Sequence, residues 1–522
     1  MISCIERSAR TPKARSGIVN VQMSLSGTLR RHPWLLIPAV AALWGVFLVL
    51  QRFLFELQGT LHDDVYTYLA VGRGILNGLT PYTDLFESKP LGVFLLAAFS
   101  LVLFKGPFLL KLLQAASVLT IPVCAYLLAE PRMRDLEQPH RTLWQFASII
   151  AGSVFTVYAF AISGEGLIEP LGAALCLVAT VLFDRAPEHR ERWRIGLLSF
   201  LFLCAVGLKE PFVLVLFAIA LLLMRSRRHF IMFFLLPLGI ASVVGLVALL
   251  LLGYLGPYFS VYLVHMFGYH LGQLSDANGS FFVRGLLVQR TFLNMFYYSQ
   301  ALAIAVTLIV AGNVCVSVKQ SIRSLILFVA ALYLLLLAVG TGGDFYAHHF
   351  VFAVPGFVVL FVLLINKQRA IGWLTIFCFL VAVFLHQHID YREKREWWSE
   401  RRAVLVRAAE TIDEVMDRCG WERYLHVVNK GAGAFGYTKH SPYGPIFVQF
   451  NRFIEGSKMY EERFREALFE TPLLVLCEGQ ETNLTDSAKT YINDNFTFTP
   501  PSCAGEFQQP VPYRLVFRKQ TG

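Results

Sequence analysis

Charge is what this sequence has least of. Only 16% of its 522 residues are Asp, Glu, Lys or Arg, where soluble domains carry roughly 25%. So large a deficit over so long a chain excludes an ordinary soluble protein, since most of the chain needs a solvent other than water. Cysteine pattern is lacking too. The nine cysteines form no CxxC pair and no zinc-like spacing, which argues against a structural metal finger or a thioredoxin-type redox motif. Low-complexity segments and sequence repeats are missing. The basic N-terminus (Arg7, Arg10, Lys13, Arg15, Arg30, Arg31) leads to no compact apolar stretch with a small-residue cleavage site. The run Trp34–Leu54 therefore reads as a retained first span and not as a cleaved signal.

Apolar sequence is what the chain has in plenty. It is 56% hydrophobic, its mean hydropathy is +0.55, and runs such as Phe212–Met224, Ile231–Leu252 and Leu325–Val339 recur with charges near their ends. A membrane span needs about 20 apolar residues, and a charge at its centre costs roughly 2.5–3.5 kcal/mol, so the charges mark span ends. The net charge of +10 comes in short clusters between apolar runs. That is the positive-inside pattern and not a nucleic-acid stripe, so the expected surroundings are membrane lipids, with no nucleic acid.

The run Pro90–Phe104 decides the topology. If it does not cross, eleven spans follow, at about 34–54, 108–129, 142–161, 170–183, 195–207, 211–224, 230–252, 291–312, 325–340, 350–365 and 370–386. Cytoplasmic segments then hold twenty Lys and Arg and outside loops six, or eight with Arg52 and Lys111; if it crosses, fourteen of the twenty move outside. The bias selects the first choice. The expected fold class is thus a polytopic α-helical membrane protein of about eleven transmembrane helices. It has a disordered basic N-terminus at 1–33, a membrane domain at 34–387 with long outer loops at 55–107 and 253–290, and a small extracytoplasmic α/β domain at 388–522. Multi-pass residence in a plasma (inner) membrane follows. In the C-terminal domain Leu425–Val428, Leu473–Cys477 and Arg514–Phe517 read as strands, with helices at Arg401–Cys419, Tyr460–Leu468 and Asp486–Asn493. Of Cys419, Cys477 and Cys503 in this oxidising location, Cys477–Cys503 is the preferred disulfide.

The first outer loop is rich in chemistry for a connector. It runs His62-Asp63-Asp64-Val65-Tyr66, then Gly78-Leu79-Thr80-Pro81-Tyr82-Thr83-Asp84, then Phe86-Glu87-Ser88-Lys89-Pro90. Val65–Leu76 has helical apolar spacing, with Asp63 and Asp64 where an N-cap stands and Gly78 as the stop. Adjacent carboxylates in a partly desolvated cleft have raised pKa values, which suits one of them to general-base work on a hydroxyl. The competing reading is a capping Asp with a solvated neighbour.

This loop resembles the first outer loop of GT-C fold glycosyltransferases, in the protein-mannosyltransferase-like and aminoarabinose-transferase-like branch that uses polyprenyl-phosphate sugars. The shared pattern is an acidic pair, Tyr, a small-residue helix, Gly-x-x-Pro-Tyr-x-Asp and Glu-x-Lys-Pro-Pro; Leu91 replaces the second Pro here. The resemblance implies Asp63 as the catalytic acidic residue and Asp64 as its partner, with Asp84, Glu87, Lys89, Tyr66 and Tyr82 matching the rest. It also implies that the helix after Lys89-Pro90 lies along the outer interface. Glu165, with Glu169 as alternate, matches an acidic residue facing the site. Lys209 matches a lysine that holds lipid-linked phosphate as a point charge, against a plain Lys209–Glu210 pair at helix ends. His348 and His349 match a phosphate- or acceptor-contacting His, against polar edging.

What the resemblance implies chemically is a single inverting displacement. Asp63 takes the acceptor proton, and Lys209, with Lys89 or Arg284, stabilises the departing polyprenyl phosphate. The implied partners are a polyprenyl-phosphate-linked sugar and a glycan, lipid or protein acceptor. No cofactor is required; His265, His270, His348 or His349 with Glu87 leave a divalent metal open without demanding one. The alternative is a transporter or flippase of lipid-linked precursors. That class places ionisable groups near the midplane and often shows inverted repeats, neither of which is seen in this sequence.

Overall fold

The computed structural model describes residues 27–59, 63–85, 87, 89–163, 168–186, 191–267, 288, 300–341, 347–365, 367, 369–385, 391–427, 434, 436–444, 458–477, 484–510 and 513–519. A described helix overlaps each of the eleven expected spans; 291–299 of the span expected at 291–312 lie outside the described residues. In chain order the helices up to the C-terminal unit are α1 (Leu36–Gln58), α2 (Asp63–Leu76), α3 (Leu91–Phe104), α4 (Phe108–Met133), α5 (His140–Ser163), α6 (Glu169–Asp184) and α7 (Arg192–Leu208). They continue with α8 (Phe212–Leu223), α9 (Arg227–Leu251), α10 (Gln300–Gln320), α11 (Ile322–Gly340), α12 (Val354–Leu364) and α13 (Arg369–Leu385). Six of them, α1, α4, α5, α9, α10 and α11, are long and apolar enough to cross a bilayer by length and composition alone.

Burial separates helices wrapped by protein from those on the rim. On α5, Ala147, Ile150, Ala151, Val154 and Phe155 are all buried, while α9 leaves Val243, Val247, Leu250 and Leu251 bare. Contiguous bare apolar faces of this kind are stable against lipid and costly against water. The chain is a multi-pass helical membrane protein.

The run at 91–104 forms a helix of 14 residues, about 21 Å long at ~1.5 Å per residue, against a hydrocarbon core of ~30 Å. It packs along α2, and glycines let the backbones meet. A Cβ on Gly72 would stand 2.6 Å from the backbone N of Ala98, and one on Gly92 would stand 2.4 Å from the carbonyl O of Gly207 in α7. Lys105, in the left-handed region at φ 51°, ends α3.

The C-terminal unit is a five-stranded sheet with helices. Its strands are β1 (Arg423–Val427), β2 (Ser441–Pro442), β3 (Leu473–Cys477), β4 (Phe496–Thr497) and β5 (Tyr513–Arg518), in the order β2-β1-β3-β5-β4. The β1 pairings with β2 and β3 are parallel, and β5 pairs antiparallel with β3 and β4. The helices are α14 (Tyr391–Cys419), α15 (Lys458–Glu470) and α16 (Asp486–Asn495). Side chains alternate between two cores. Tyr424, Leu473, Val475, Leu515 and Phe517 join the α14 stripe of Leu405, Ala408, Ile412, Val415 and Met416, together with α2 and α3 residues such as Leu69 and Phe94. Leu425, Leu474, Leu476 and Val516 pack on the other side against Phe464, Leu468 and Ile492. The sheet's period of two therefore gives one face to the first long loop and the other to α15 and α16.

Two expectations are corrected here. The disulfide joins Cys419 to Cys503, so Cys477–Cys503 is excluded. Cys477 ends β3 opposite Tyr513, while the last residue of α14 meets the short helical turn Ser502–Ala504. Helix α14 also begins at Tyr391, ten residues before the expected Arg401.

Candidate active site

The site is built around the return of the first long loop. In the described residues helix α2 runs from Asp63, with Asp64 next to it, so both aspartates have helical backbone. The Asp63 side chain, Glu165 and Arg284 lie outside the described residues, as do Tyr269 and His270. After α2, Gly78 turns the chain at φ 83° and Tyr82 takes the left-handed φ of 69°. Asp84 closes this turn, its carboxylate accepting the Thr80 N–H at 2.7 Å. Tyr82 is fully buried among the rings of Phe94, Tyr258 and Tyr262. Its hydroxyl donates to the carbonyl of Lys89 at 2.9 Å, which fixes where Lys89 starts.

Lys89 stands among carboxylates from separate parts of the chain. Burial pulls its pKa down, but Asp64, Glu87, Glu169 and Glu210 outweigh that and hold it above the ordinary lysine value. Glu87 itself is fully buried. Lys209, at the end of α7, pairs with Glu169 at the start of α6 (Nζ–Oε1 3.0 Å). The neighbour Glu210 turns elsewhere and accepts a short hydrogen bond from the Tyr262 hydroxyl. Burial raises the Glu210 pKa, with the Tyr262 bond opposing.

His348 comes from the helical turn Ala347–Ala353 ahead of α12. Burial pushes its pKa down to about 4; Glu169 and Asp64 oppose this, and Lys209 and Lys89 reinforce it. It is neutral at pH 7 and within electrostatic reach of both lysines. The His349 ring is 4.3 Å from that of His348 and is buried against Phe352.

Asp64, Glu87, Lys89, Lys209 and His348 thus converge, joined by Glu169 and Glu210. Tyr82 supports them from behind. Asp84 and Tyr66 look toward the C-terminal unit instead. Arg423 donates to the Asp84 carbonyl at 3.0 Å, and the Tyr66 ring lies 5.8 Å from that of Tyr437. Reading the sequence missed Tyr262 and gave Glu210 no role beyond pairing with its neighbour Lys209. The usable signal was Tyr258 and Tyr262 at i, i+4 in a loop otherwise read as a connector. His265 is buried, which pushes its pKa down to about 4. Among the described residues no group of three or more His, Cys, Asp or Glu is placed to hold a metal ion.

Such a cluster offers carboxylates to take a proton and two ammonium groups to meet a phosphate. No family model matches the chain, and no curated protein matches it. Among solved structures it is similar to the crystal structure of ArnT from Cupriavidus metallidurans bound to undecaprenyl phosphate. That likeness has a TM-score of 0.48 and 12% sequence identity, and it covers 94% of this chain and 98% of that one.

Proposed function

We propose that the chain is an integral-membrane glycosyltransferase that moves a sugar from a polyprenyl-phosphate donor to an acceptor hydroxyl on the outer face of the membrane. The observation that carries this reading is the convergence around Lys89 of titratable groups from four chain segments: Asp64 and Glu87, Glu169, Lys209 and Glu210, and His348. Residues so far apart in sequence are gathered around an acid/base and cation cluster next to the loop that resembles the GT-C glycosyltransferases.

Asp63, in the first turn of α2 beside Asp64, is the general base. It takes the acceptor proton as the acceptor oxygen bonds to the anomeric carbon and the bond from that carbon to the phosphate oxygen breaks. The configuration inverts, and the polyprenyl phosphate leaves with the bonding pair. Lys209 keeps donor capacity for that phosphate, since an ammonium has three N–H bonds; Lys89 and Arg284 add positive charge. The disulfide Cys419–Cys503 supports an extracytoplasmic position for the C-terminal unit, because disulfides persist in oxidising compartments.

The test is a panel of polyprenyl-phosphate sugars supplied to the protein in lipid, comparing wild type with Asp63→Asn. Transfer or sugar release by the wild type, reduced about 10²–10⁴-fold in the variant, is the expected result. Equal turnover in both removes Asp63 from the chemistry. Donor binding without turnover in either, across a panel of acceptors, turns the reading toward a carrier.

A further inference from the structure

Helix α6 carries the site residue Glu169 at one end and Asp184 at the other, about 22 Å away at ~1.5 Å per residue. The far end gathers arginines. Arg132, from α4, grips both Asp184 oxygens at 2.9 and 3.0 Å. Arg225, just beyond α8, donates to the Asp184 main-chain carbonyl and stands 3.9 Å from its carboxylate. Glu130 bridges Arg134 at 2.9 Å and Arg185 at 3.1 Å. Four guanidiniums thus face two carboxylates, an excess of two positive charges, and Lys367 adds a third within electrostatic range of Arg132.

These arginines line an open hollow of about 520 Å³, lined also by Leu222, Leu223 and Leu363. The backbone of α4 explains part of the cluster, since Arg185 donates to the Leu127 carbonyl, which Pro131 has no N–H to satisfy, and Arg132 donates to the Leu128 carbonyl. It leaves two positive charges in one hollow without a carboxylate to balance them, and a further anion there would offset their repulsion. Donors remain available for one. Arg225 bonds through one terminal nitrogen only, and Arg134 leaves its second terminal nitrogen unused, of five N–H groups each. Their side chains are 51% and 63% exposed.

We propose that this cavity is a phosphate-anion site, distinct from the candidate active site and at the opposite end of the bundle. Forked guanidiniums fit phosphate oxygens two at a time. The leucine wall fits the first methylenes of a lipid below such a headgroup, so an anionic phospholipid is the occupant this lining favours; free phosphate shares the same chemistry.

The experiment is native mass spectrometry of the detergent-purified full chain with dioctanoyl phosphatidylglycerol, dioctanoyl phosphatidylcholine or inorganic phosphate. It compares wild type, R134Q/R225Q and R227Q/R228Q. The last removes the same charge from exposed residues close by in the chain. Phosphatidylglycerol is expected to bind at least ~10-fold tighter than phosphatidylcholine, and R134Q/R225Q to lose ~10-fold or more while the control pair loses under ~3-fold. Inorganic phosphate bound as tightly, with the same variant dependence, supports the site with a soluble occupant. Equal affinity for the two lipids, or equal losses in the two double variants, overturns it. Should R134Q/R225Q fail to purify folded, R134Q and R225Q alone carry the same comparison.

Discussion

Lys209 and Glu169 neutralise each other with side chains only 12% and 3% exposed. A buried pair of this kind adds little net stability, yet removing one partner strands the other charge at a cost of about 3–5 kcal/mol. Glu169→Gln is therefore expected to lower the unfolding midpoint in detergent, as is Lys209→Met. Lys209→Met/Glu169→Gln together should cost clearly less than the two single losses summed; strict additivity in that double-mutant cycle would show that the pair is not coupled. The sequence offered Lys209 a phosphate or its neighbour Glu210 as partner, and not Glu169. Adjacent residues at a helix end point in different directions, so Glu210 goes to Tyr262 and Lys209 to a residue forty positions earlier. The cysteines teach the same lesson. Spacing could not reveal that the end of α14 lies against residues 502–504.

At the level of elements, apolar run length and charge position were enough to foresee a helix overlapping each expected span, because those two properties set the transfer free energy of a helix into lipid. Boundaries shifted where polar residues continue a helix past the apolar run, as α4 does through Arg132 to Met133. Strands β2 and β4, two residues each, are too short to show alternation and were not foreseen. The seating of α3 on its neighbours was likewise invisible, because it depends on Gly72 and Gly92 meeting backbone atoms of other segments. Gly92→Ala puts a methyl 2.4 Å from the Gly207 carbonyl, which has no flexible side chain to move aside. Overpacking of that sort costs about 1–3 kcal/mol. The variant should melt earlier than wild type, whereas Gly196→Ala, with nothing within 4 Å, should melt as wild type does. Equal melting of both would mean that α3 and α7 are not in close contact.

At the scale of the whole molecule, the C-terminal unit and the first long loop share one core. Arg73 donates to the Gly436 carbonyl at 3.2 Å, Asn77 to Ser441 at 3.0 Å, and Arg463 to the Thr83 carbonyl. The disulfide closes an 84-residue separation within that unit, so Cys419→Ser is expected to remove up to about 4 kcal/mol from it. Limited proteolysis is the readout, with cleavage between 419 and 503 rising sharply in the variant or under reductant and the membrane helices staying intact. An unchanged cleavage pattern would show that the bond is not formed. The shared core also has a meaning in time. Asn77 must wait for Ser441, 364 residues later, and at about 5–20 residues per second of synthesis that wait lasts roughly 20–70 s. Until then α2 can pack on α3, made just after it, but the face that meets the C-terminal sheet and α14 stays open.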